Sequence, residues 1–213
     1  MGLRSALSRV PTTAAAALAL AGLAAAPASA AGTVVGLDCQ AKPPVGSAQT
    51  FDLDAEVEAT APASVASGDS FAITLATQQM TVPSSVGGYT VKSLKNIRLT
   101  APVPDNATLN GVTLSGGSGT GPGKPTVSVG GGTIVLTVPG AISGGADFTL
   151  PALTLDLTAG PSGGTVETRL SGTGYDDPGL TFTASVPILF VTVNVPTSCY
   201  PSPSPVLSST SIT

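Results

Sequence analysis

The chain contains no histidine and no tryptophan. The first absence removes the commonest general acid/base near neutral pH and the commonest metal ligand; the second removes the side chain most typical of sugar-stacking sites. Only 9% of the 213 residues are charged and 4% are aromatic. Hydrophobic residues nonetheless make up 42%, so the chain is no disordered polyelectrolyte and can fill one sizeable core. The apolar run from Ala14 to Ala26 has 13 residues, short of the roughly 20 that a membrane-spanning helix needs.

Flanked by Arg4 and Arg9 on one side and Ala28-Ser29-Ala30 on the other, that run reads as a secretory signal over residues 1–30. The arginines are not adjacent, which speaks against twin-arginine export, and no cysteine stands near the cleavage point to take a lipid. The segment Pro201 to Thr213 is a Pro/Ser-rich tail with neither a hydrophobic anchor nor a basic stop. The expected product is a secreted protein with no membrane span, residues 31–200 forming a single β-sandwich domain and residues 201–213 trailing from it. Without the signal, six basic residues face twelve acidic ones, a net charge of −6. Such a balance disfavours nucleic acid and anionic lipid as partners and keeps the protein soluble.

Cys39 and Cys199 are the only cysteines, and an even count in an exported protein implies pairing. The bond would tie the first strand to the last. Closing most of the mature chain into one loop stabilises the fold by about 5 kcal/mol on the chain-entropy account. A nucleophilic or metal-binding thiol, the competing reading, lacks a histidine partner.

What the chain does have is alternation and punctuation. Phe51, Leu53, Ala55 and Val57 alternate with Asp52, Asp54, Glu56 and Glu58, a period of two that predicts a strand with one wet face. Similar runs predict strands over 70–77, 89–100, 133–138, 148–158, 165–170 and 180–195, with a bulge or single turn near Val91, Leu94 and Lys95. Between them stand Gly87-Gly88, Gly130-Gly131-Gly132, Gly144-Gly145 and Gly163-Gly164, which supply the positive φ of tight turns. No stretch holds a helical period. The predicted class is all-β, an antiparallel sandwich of immunoglobulin-like or Greek-key type. The spacing of Pro62, Val65, Gly68 and Phe71 recurs at Pro139, Ile142, Gly145 and Phe148, which is either an internal pseudo-repeat or generic strand-turn-strand chemistry.

Candidate sites are few. Gly116 to Pro125 superficially resembles a phosphate loop, but Pro125 follows Lys124 where Ser or Thr is required, and no helix follows; it reads as a flexible loop. No Ser lies in a nucleophile motif. The row Asp52, Asp54, Glu56, Glu58 suits a solvated stripe, partly neutralised by Lys92, Lys95 and Arg98 of a neighbouring strand, or alternatively a divalent cation between two carboxylates. Asp176-Asp177-Pro178-Gly179 is turn chemistry, with calcium as the alternative. Asp52, Asp54, Asp176 and Asp177 are thus the calcium candidates. No metal or cofactor is expected. Asn106-Ala107-Thr108 is a glycosylation sequon in a stretch, Pro102 to Asn110, that reads as a loop.

The alanine-rich leader, the early Cys39, the run Thr60 to Ser70 and the late Cys199 after Pro196-Thr197-Ser198 resemble small secreted β-sandwich proteins of actinobacteria. Members often carry the label dehydratase or cyclase, with no catalytic residues to match onto this chain. The resemblance implies export and a disulfide-framed sandwich. Three functions then compete: a non-enzymatic envelope or extracellular binding, adhesion or structural module; a carrier of an apolar ligand; and a carboxylate-dependent lyase or cyclase using Tyr175 or Tyr89. The partner is an unidentified envelope or extracellular one. The apolar run Val186 to Val195, with Ile188, Leu189 and Phe190 consecutive, reads as a central strand buried on both faces, or as part of a ligand cavity.

Overall fold

The computed structural model describes residues 27–29, 32–44 and 46–213. The expected signal, residues 1–30, lies outside them except for Pro27–Ser29, a short strand antiparallel to residues 60–62.

Twelve strands carry the architecture: β1 Thr33–Ala41, β2 Gln49–Pro62, β3 Ser70–Thr77, β4 Ser93–Pro102, β5 Ala107–Ser115, β6 Thr126–Gly130, β7 Thr133–Ser143, β8 Ala152–Ala159, β9 Thr165–Thr168, β10 Leu180–Ile188, β11 Val191–Pro201 and β12 Ser208–Ile212. Ten form one ladder in the order β5-β8-β3-β2-β1-β11-β10-β4-β7-β6, antiparallel at every step. The ladder curls until its outer strands, β5 and β6, come into contact. The all-β antiparallel class is as the alternation predicts. The two layers that face each other across the core belong to the same nearly closed sheet.

Period-two sequences set which face turns in. In β7, Ile134, Leu136 and Val138 are buried while the residues between them are half-buried; in β8, Leu153, Leu155 and Leu157 point inward and Asp156 outward. One core cluster surrounds Cys39 and Cys199 with Leu37, Val138, Phe148 and Phe182. A second gathers Ile73, Leu155 and Leu157 with Val166 of β9 and Ile212 of β12. Fully burying such side chains contributes about 1.5–3 kcal/mol each, which is what holds the sheet together.

Several local expectations change. The stretch read as a C-terminal tail carries β12, which pairs antiparallel with β9 and parallel with residues 64–65. Its alternation is cryptic because Ser208 and Thr210 occupy buried positions, where their hydroxyls bond to Thr168 at 2.7 Å and to the Pro62 carbonyl at 2.8 Å. The expected loop Pro102 to Asn110 shrinks to a turn, since β5 begins at Ala107; Asn106 sits there at φ 61° with its amide on the Thr165 carbonyl. The glycine-rich stretch 116–124 is no free linker. Ser118 and Thr149 exchange both backbone hydrogen bonds, and a Cβ at Gly119 or Gly121 would collide with the backbone of Asp147 or Ala141. Those glycines let the loop press flat onto the end of β7 and the β7–β8 connection.

The largest change concerns residues 180–195. They are not one buried strand but parts of β10 and β11, which pair from Leu180 opposite Cys199 to Ile188 opposite Val191. The turn between them consists of Leu189 and Phe190. Neither of those two positions holds a turn-forming residue, so the apolar run masks the reversal.

Candidate functional site

The disulfide fixes the geometry from which the rest follows. Cys39 and Cys199 face each other directly across the β1–β11 ladder, Cα to Cα 4.1 Å, and both are fully buried. A native disulfide marks an oxidising compartment. It also fastens β1, the first strand of the ladder in chain order, to β11, the last.

Neighbouring residues on the outer face of β2, β1 and β11 form a polar row, Asp52 opposite Asp38 and Asp38 opposite Tyr200. A hydrogen bond to the Asp38 carboxylate, reinforced by partial desolvation and by the carboxylate's charge, raises the Tyr200 phenol above its ordinary value of 10.0. Tyr175 packs edge-on against Tyr200, ring centres 5.2 Å apart. Its neighbour Asp176 is fully exposed and stands 3.8 Å from Lys42, while Asp177 accepts a 2.9 Å hydrogen bond from the Thr173 hydroxyl; the turn here is centred on Tyr175 and Asp176, bridged from Gly174 to Asp177, and not on Pro178-Gly179. Tyr89, the other tyrosine of the lyase reading, stands apart on a short hairpin, residues 85–90.

The bases expected to neutralise the acidic row are elsewhere. Lys95 and Arg98 belong to β4 and Lys92 directly precedes it, and β4 pairs with β10 and β7, whereas β2 pairs with β1 and β3. Sequence proximity in period and charge does not reveal strand order. Asp54 and Glu56 lie opposite Gly36 and Val34, and Glu58 accepts a 3.4 Å hydrogen bond from Gln78. Among the described residues, no group of three or more acidic or cysteine side chains is disposed to hold a metal ion.

The concave side of the sheet is different in kind. A cavity of about 520 Å³ lies inside the curl, walled by Leu37, Leu75, Leu99, Leu136, Leu150 and Leu180 among others. A smaller one of about 280 Å³ opens toward the β10–β11 turn, lined by Phe51, Val86, Tyr89, Val186 and Ile188. Phe182, Leu53, Leu94 and Pro83 border both, so the two spaces share a wall. Of Asp52, Asp54, Asp176 and Asp177, only Asp54 reaches a cavity wall.

Two polar groups on the wall of the larger cavity stand out. The Thr77 hydroxyl is buried and is the one such side-chain atom among the described residues without a hydrogen-bond partner. An unpaired buried hydroxyl costs about 1–3 kcal/mol. Arg169 is held by Glu167 at 2.8 Å and by the Ser204 carbonyl at 3.2 Å. Neither residue carries a sequence signal. Thr77 is one of many threonines on strands, and Arg169 meets the cavity only through the pairing of β9 with β12.

Fold and cavity together define a disulfide-bonded all-β protein with an apolar space on the concave side of its sheet. No protein-family model matches the chain, and no curated protein does. Among solved structures, it is similar to a protein of Corynebacterium diphtheriae described as a "putative membrane anchored protein". The likeness has a TM-score of 0.56 at 19% sequence identity and covers 86% of this chain and 38% of that one. The chain thus spans well under half the length of that protein, and at this identity the likeness is one of fold.

Proposed function

We propose that the protein is a secreted, non-enzymatic binding protein of the cell envelope, and that its curled sheet holds a small ligand with an apolar body and one hydrogen-bonding group. The cavity of about 520 Å³ carries this reading. Ligand cavities span roughly 300–1,000 Å³ and combine apolar walls with few polar groups. Thr77 supplies such a group. The disulfide and the membrane association named for the Corynebacterium protein support an envelope setting.

The test is titration of the disulfide-bonded protein with cis-parinaric acid, whose fluorescence rises in an apolar site. Saturable binding of about one probe per chain is expected. Ala101→Phe, which adds bulk at the cavity wall, should weaken it by roughly tenfold while the melting curve persists. Absence of saturable binding, or binding that Ala101→Phe and Ala55→Phe both leave unchanged, overturns the reading.

A further inference from the structure

The β10–β11 turn presents the most exposed apolar side chains in the described molecule. Phe190 is 101% and Leu189 93% exposed, with Val191 at 62% and Ile188 at 38% on the adjoining strand ends. Four consecutive apolar residues therefore form the tip of a narrow hairpin. The tip is also badly chosen for a turn. Leu189 adopts φ +52°, a left-handed conformation that costs an L-residue with a side chain about 1–2 kcal/mol and that hairpin turns give to Gly, Asn or Asp. Solubility and stability would both be served by Asn-Gly. Residues that break local rules without helping the fold are expected where a function requires them.

We propose that the 188–191 tip is a wedge that inserts into a lipid bilayer surface. This goes beyond the cavity reading and does not depend on it. A protein partner fits the feature poorly. Stable protein interfaces bury about 1,200–2,000 Å² in total and match surfaces closely, whereas this patch is four residues on a convex turn. Hydrocarbon needs no matching surface, and apolar tips sink about 5–10 Å into the headgroup–acyl boundary.

Charge is distributed to suit. The net negative balance of the chain would oppose an anionic surface, yet from Leu180 to Pro201 there is no charged residue, and neither is there from Gln78 to Val91. Asp38 adjoins the base of the hairpin, opposite Tyr200, but the charges beside its tip-ward half are basic. Lys92 donates its backbone N–H to Ser185, Lys95 pairs with Thr183, and Lys42 donates its backbone N–H to Pro196. Lys42 is partly offset by Asp176, whereas Lys92 and Lys95 have no ion-pair partner among the described residues. Ser185 stands four residues before the tip, so Lys92 lies ~13 Å back along the strand, near the headgroup level of an inserted hairpin. The smaller cavity, bordered by Ile188 and Val186, opens beside the wedge.

Because the chain has no tryptophan, Phe190→Trp gives a single reporter in the full-length protein. With vesicles containing phosphatidylglycerol, its emission should shift to the blue and be quenched by lipids brominated on the acyl chain. Val129→Trp, on exposed β6, reports any attachment through another part of the chain and should show neither effect. Leu189→Gly with Phe190→Ser should lower insertion on the order of a hundredfold, as expected for withdrawing two large apolar side chains from hydrocarbon. The fold should survive, since both positions are exposed, and saturable cis-parinaric acid binding in that variant keeps the outcome separate from the cavity's. No shift of Phe190→Trp on vesicles, an equal shift of Val129→Trp, or a lipid-independent shift that grows with protein concentration, marking a second copy as the occupant, overturns the proposal.

Discussion

The two ends of the β10–β11 hairpin are opposites. At its base, Leu180 lies opposite Cys199, whose side chain is fully buried and bonded to Cys39; eight pairs further on, Ile188 lies opposite Val191 beneath a turn in full solvent contact. The ladder between them is continuous. Stability is therefore concentrated where the chain ends are joined, and the other end is free to display side chains that the fold does not need.

Breaking the base should have the largest effect. Cys39 and Cys199 are 160 residues apart, so Cys199→Ala removes a constraint of about 5 kcal/mol on the chain-entropy account, or ~10–20 °C in Tm for a chain of this size. Differential scanning calorimetry measures the drop, and far-ultraviolet circular dichroism below the transition should still show β structure. A change of less than a few degrees would mean the ladder alone holds the ends.

Relaxing the tip should have a smaller effect of opposite sign. Leu189→Gly removes the left-handed penalty and should raise stability by about 1 kcal/mol, or ~2–4 °C. A stabilising substitution that also diminishes lipid insertion would display the opposition between the two ends in one variant. A fall in Tm would show that Leu189 packs against something in the folded state after all.

The smallest effect separates the hairpin from the acidic strand beyond β1. If the row Asp52, Asp54, Glu56, Glu58 is only a solvated face, millimolar calcium should leave Tm within about a degree, because an unoccupied site contributes no linkage. A rise of several degrees, abolished by Asp54→Asn, would instead establish calcium binding at that row.

Much of the fold is legible in the sequence because period-two alternation survives wherever one face is wet. β2 and β3 appear where Phe51 to Val57 and Ser70 to Thr77 predict them, the bulge or single turn expected near Val91, Leu94 and Lys95 takes the form of a register shift between Lys95 and Arg98 with Asn96 at φ +53°, and the cysteines meet. Legibility fails where periodicity carries no information. In 186–195 the turn positions themselves carry Leu189 and Phe190, while Pro187 and Asn194 stand on the flanking strands, so a reversal built from Leu-Phe resembles a buried strand. In 208–212 serine and threonine take inward positions and resemble a polar tail. Strand order is the third loss. Nothing local says that β4 sits beside β10 rather than β2, so the charge pairing inferred for Lys92, Lys95 and Arg98 had no basis in pairing. The cavity was invisible for the same reason, being a property of how far a sheet curls.

The incomplete closure between β5 and β6 bears on how the protein behaves when crowded. A long unpaired strand edge is a template on which another chain can add a strand, the usual start of fibrillar aggregation. Here the two free edges of the ladder face one another across a narrow gap, β6 is only five residues long, and the glycine loop that joins them is pinned to the β7–β8 connection. Each edge shields the other, so the ladder offers incoming chains little to extend, and a β-rich protein with few charges can stay dispersed at high local concentration.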